Sequence, residues 1–210
     1  LEIFNATGAA VDLSAYDVQI HFNGGTSSAN GNIKDLGTGT LANNDVLVVV
    51  HTSSGNGTLQ AAADINATIG FNGDDAITLL KTVGGSTSVI DLIGEIGVDP
   101  GSGWTVAGVS NAGKDNSLVR KNWVTSGNTT AQGSFGTNTS DSEWTVVSGQ
   151  NTGWAQLGSH DGGSYNELIT FTGTHLVANQ TKAISIGSHG TNGKWNLVGN
   201  PFPSYLDLQH

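Results

Sequence analysis

The apolar residues of this chain are gathered into runs of four to eight, and each run is closed by Gly, Asn, Asp or Ser. Such residues accept tight-turn geometry and bond their own backbone, so the chain reverses direction every few residues. Nowhere do apolar residues recur convincingly at helical spacing, and the reading is all-β. The run Val-Leu-Val-Val-Val, Val46 to Val50, is continuous and nearly all β-branched, the pattern of a strand buried on both faces. Further strands are expected at LEIFNA, YDVQIHF, AITLLK, SVIDLIG, SLVRK and EWTVV. About seven short strands at this spacing indicate a β-sandwich. At Leu59 to Ala67 (LQAAADINA), Leu, Ala and Gln favour one short helical turn, with Asp64 offered as a cap.

After Val147 the pattern lapses into polar, glycine-rich sequence before strands resume at ELITFTG, KAISIG and WNLVG. The expected organisation is a sandwich over 1–147, a linker over 148–164 and a partial β unit over 165–210, whose few strands cannot close a core of their own.

Acidic residues outnumber Lys and Arg by 17 to 7, giving a formal net charge of -10. Such a surface repels phosphates and anionic lipid, which argues against nucleic acid as a partner. There is no cysteine, so disulfides, thiolate metal sites and cysteine nucleophiles are excluded. No apolar run approaches the roughly 18 residues that would span a bilayer as a helix. A surface built from Asn, Thr, Ser and Gly suggests an exported protein.

LEIFNATGAAVDLSAYDVQI resembles the opening of a bacterial lamin tail domain, and LANNDVLVVV, FNGDDAITLLK, VIDLIGEIGVDPGSGW, NSLVRK, SEWTV and LGSH fit the same family in order. The resemblance covers roughly residues 1 to 160. It implies an immunoglobulin-like β-sandwich of a secreted or cell-surface protein, commonly appended to nucleases, phosphatases and adhesins, with catalysis in the neighbour. The strand that usually precedes LEIFN in that family is missing here. Gly193 to Leu208 (GKWNLVGNPFPSYLDL) resembles segments upstream of type IX secretion sorting domains in surface proteins of the Bacteroidota. The chain is therefore expected to be a fragment of a longer surface protein.

Candidate sites are few. Asn72, Asp74 and Asp75 follow an Asn-Gly turn and offer oxygens to calcium, but short of the six to eight it prefers; the alternative is a solvated turn with a capping Asp. Trp104, after two glycines, could stack on a sugar or plug the edge of the core, and the second is favoured. Asp91 is read as the outward member of an alternating strand rather than an inward group tied to backbone N–H. His160 and His189 each follow a Ser, but sequence neighbours do not make a triad, and no GxSxG or HExxH motif is present. Asn-x-Ser/Thr triplets at Asn5, Asn66, Asn128 and Asn138 arise readily in a chain this rich in Asn and Thr.

The expected function is a noncatalytic extracellular module, a spacer or an adhesion and interaction domain with other protein chains or glycans as partners, no membrane insertion and no cofactor unless calcium. One alternative is a subunit of an extracellular fibre or sheath that assembles with copies of itself by strand complementation. Another is a carbohydrate-binding module.

Overall fold

The computed structural model describes residues 1–26, 32–149 and 157–160. The chain divides into two compact units, Leu1–Gly163 and Ser164–His210, and every described residue belongs to the first. The strands expected after residue 164, and His189, lie outside the described residues.

The unit is all-β. In a four-stranded antiparallel sheet, β3 (Tyr16–His21) lies between β4 (Ile33–Asp35) and β8 (Ala76–Val83), and β8 also pairs with β9 (Ser86–Ile93). In a three-stranded sheet, β6 (Val46–His51) is flanked by antiparallel β1 (Glu2–Phe4) and parallel β7 (Ile65–Ala67). Two short ladders join β2 (Val11–Asp12) to β5 (Thr40–Leu41) and β10 (Asn116–Arg120) to β11 (Trp144–Ser148).

Strand alternation explains the packing. Val18 and Ile20 of β3, Ile77 of β8 and Leu47 and Val49 of β6 meet in one apolar cluster, so the two larger sheets share a core. The opposite faces of β8 and β9 send Ala76 and Leu92 into a second cluster with Trp104, Val106, Phe135 and Trp144. The four-stranded sheet thus has apolar cover on both faces, the second cover being mainly loops. Val48, pointing away from the first cluster, is only 1% exposed, which gives Val46 to Val50 the two-sided burial its composition demands.

One expectation changes in detail. Among the described residues the one α-helix, α1, spans Gly57–Ala61 and is capped by Asn56, which accepts from the N–H groups of Thr58 and Leu59. Asp64 instead accepts from Val48 N at 2.8 Å, while Asp64 N donates to Val48 O, so this carboxylate ties the helix exit to β6. Beyond Val147, the described residues 157–160 reach the start of the chain. His160 meets Phe4 edge-on at 4.9 Å and Gly158 N donates to the Glu2 carboxylate.

Candidate functional site

Arg120 ends β10 and lies 14% exposed between two carboxylates. Its Nη1 is 3.0 Å from Asp91 Oδ2 on β9, and its Nη2 donates to Glu143. The guanidinium also sits 4.7 Å from the Trp144 ring, and Trp144 Nε1 donates to Ser134 Oγ at 3.0 Å. Planar guanidinium suits this combination of fork and stacking better than an ammonium would.

The same carboxylates hold a loop. Asp91 Oδ1 accepts from Asn128 N at 2.8 Å and from Leu92 N at 3.0 Å, and Glu143 Oε1 accepts from Asn128 Nδ2 at 2.8 Å. Leu92 N in turn donates to Asn128 O. Gly127 lies so flat on β9 that an added Cβ would stand 2.0 Å from Ile90 O. Residues 124–130 are therefore anchored at Gly127 and Asn128, and a chain of polar residues becomes a fixed wall.

That wall, Trp123 and Glu143 bound an open cavity of roughly 400 Å³. Trp123 is 45% exposed. The hydroxyls of Thr125, Ser126, Thr129 and Thr130 have no partner among the described residues. Over one face of the ring, 5.9 Å from its centre, is Lys121 Nζ, itself bonded to the carbonyls of Thr139 at 2.5 Å and Ser142 at 2.6 Å. The cavity thus combines an exposed aromatic face, free hydroxyls and one carboxylate, Glu143, already paired with a cation.

The expected site residues lie elsewhere. Trp104 is 3% exposed, with its backbone N bonded to Gly73 O and its Nε1 to Asp75 O at 3.1 Å. A Cβ on Gly94 (φ +90) would come within 2.9 Å of its ring. It fills the second cluster and offers no face to a ligand, as the favoured reading of this residue holds. Asp74 and Asp75 are each 5% exposed, so theirs is not a solvated turn. Asp75 accepts from Asn23 N at 2.9 Å and Asn72 N at 3.3 Å, joining two loops, whereas Asp74 Oδ1 is buried with no partner. Among the described residues no three His, Asp or Glu side chains are grouped to hold a metal ion. Asp91 is not a plain outward residue: it is tied to backbone N–H groups and to Arg120. Asn5 is buried, and its amide donates to the carbonyls of Ala9, Leu41 and Ala42.

Sequence reasoning missed Arg120, Glu143 and Trp123. The ion pairs join residues far apart in the chain, which no local pattern reveals. Trp123 did carry a signal, since Lys121 and Asn122 precede it and Thr125 to Gly127 follow, a polar setting in which a large ring has little apolar company.

No protein-family model, curated protein or solved structure matches this chain. Among the described residues no helix is long and apolar enough to cross a membrane.

Proposed function

We propose that the chain is a noncatalytic interaction module, an immunoglobulin-like β-sandwich akin to bacterial lamin tail domains, within a larger exported surface protein. The observation that carries this reading is the state of the two carboxylates beside the cavity. General acid–base work needs a carboxylate that can exchange a proton with a substrate. Asp91 and Glu143 both spend their oxygens on Arg120 and on the anchored loop, which favours holding a ligand over transforming one. The acidic net charge supports partners that are neutral rather than phosphate-bearing.

The test is retention. The full chain, immobilised, is exposed to extracellular polymers, protein and polysaccharide, and both capture and polymer length are measured. Capture without shortening supports the reading; shortening that tracks the chain's concentration overturns it.

Self-assembly by strand addition has one observation in its favour. Among the described residues β1 is an edge strand, paired only with β6, and between Leu1 and Val11 the sole charged side chain is Glu2. An edge with so little charge accepts another strand readily. Regular filaments in electron micrographs of the native source would support this reading, and their absence there would remove it.

A further inference from the structure

We propose that the cavity between Trp123 and the 124–130 loop binds a neutral saccharide, with a sugar ring stacked on the exposed indole. The inference rests on the interaction-module reading and assigns a ligand class to its site. A sugar ring has an apolar C–H face and a periphery of hydroxyls, so its receptor needs an exposed aromatic plane beside unpaired donors and acceptors. Trp123 supplies the plane, being 45% exposed. Thr125, Ser126, Thr129 and Thr130 supply hydroxyls that the protein leaves unbonded among the described residues. Each hydroxyl can both donate and accept, which matches a sugar hydroxyl in either role.

Charge selects against the anionic alternatives. Lys121 is bonded to two carbonyls, and Arg120 is paired with Asp91 and Glu143. Among the described residues no Lys or Arg lines the cavity to face a uronate, sulfate or phosphate, and a chain of net charge -10 repels such groups at a distance. The loop is also held before a ligand arrives, by Asn128 on Asp91 and Glu143 and by the close seat of Gly127 on β9. Little conformational entropy then opposes binding.

Isothermal titration of the full chain with neutral hexasaccharides (cellohexaose, laminarihexaose, xylohexaose and mannohexaose), and with polygalacturonate as the anionic probe, tests the assignment. At least one neutral probe should bind, and Trp123→Ala should weaken it about tenfold while Trp123→Phe recovers part of the loss. Because Trp123 is exposed, its variants should keep the parental melting curve, so a loss of binding cannot be ascribed to unfolding. Absence of heat with all four neutral probes, unchanged affinity in Trp123→Ala, or preference for polygalacturonate would each overturn the proposal. Chromatography of the recovered probe separates this inference from the reading beneath it. Intact probe supports both, whereas probe that is bound through Trp123 and then cleaved leaves the site standing and ends the noncatalytic reading.

Discussion

Replacing Arg120 by Met should cost the folded unit about 2–3 kcal/mol. Removing one partner of a buried ion pair typically costs about 3–5 kcal/mol, because the other charge is left without compensation. Here the figure is reduced, since the Asp91 and Glu143 side chains remain 29% and 19% exposed and keep their bonds to the backbone N and side-chain amide of Asn128. Loss of the cation over Trp144 adds about 0.5–1 kcal/mol, part of which Met restores by packing on the same ring. The readout is urea unfolding followed by tryptophan emission, with an unchanged slope and a lower midpoint, and a melting temperature lower by about 5–10 °C. The triple variant Arg120→Met, Asp91→Asn, Glu143→Gln carries the sharper expectation. With both carboxylates neutralised, it should lose less stability than Arg120→Met alone, because the repulsion between them is gone. An Arg120→Met protein within about 0.5 kcal/mol of the parent, or a triple variant weaker than the single one, would show that the ion pairs do not organise this region.

Val48→Asp should prevent folding at ordinary temperature, since it sets an unpaired charge at a site 1% exposed; a folded far-UV spectrum with a cooperative melt would contradict the packing of β6. Asp74→Asn, which replaces a carboxyl group whose buried Oδ1 has no partner among the described residues, should raise stability by about 1 kcal/mol, whereas a calcium-dependent rise in the parent's melting temperature that Asp74→Asn abolishes would make Asp74 a metal ligand. Burial holds the His21 pKa below its usual value, against the smaller opposing effect of the bond to the Gly25 carbonyl. Because the folded value lies below the unfolded one, His21 contributes fully above about pH 6.5, and that contribution is lost as pH falls further. Urea midpoints at about pH 7.5 and about pH 5.5 should therefore differ more in the parent than in His21→Gln, and equal differences would refute the assignment.

The sheets were legible because their cause is local. Val46 to Val50 is β-branched at every position but Leu47, and alternation along β3 and β8 is written in the residues themselves. The 3.6-residue periodicity that would mark a longer helix is absent, which left only α1, and its cap moved from Asp64 to Asn56 because either side chain can cap and only the tertiary bond from Val48 N to Asp64 decides between them. The cavity was not legible for a different reason. Trp104 follows a glycine turn and Trp123 the polar pair Lys121 and Asn122, and what buries one and exposes the other is whether loops from elsewhere in the chain close over it. Gly73 O, Asp75 O and Gly94 enclose Trp104. Likewise Asp91 alternates as an outward residue should, yet Arg120 and Asn128 reach it from distant segments.

Whether this unit holds a ligand without transforming it is decided by one comparison of turnover. The full chain and its Glu143→Gln variant are incubated with the same set of chromogenic glycosides, esters and phosphodiesters. Product formation indistinguishable from buffer is expected for both proteins. Turnover by the parent that disappears in a Glu143→Gln protein of unchanged fold would contradict it, since Glu143 would then be a catalytic carboxylate and not a partner of Arg120.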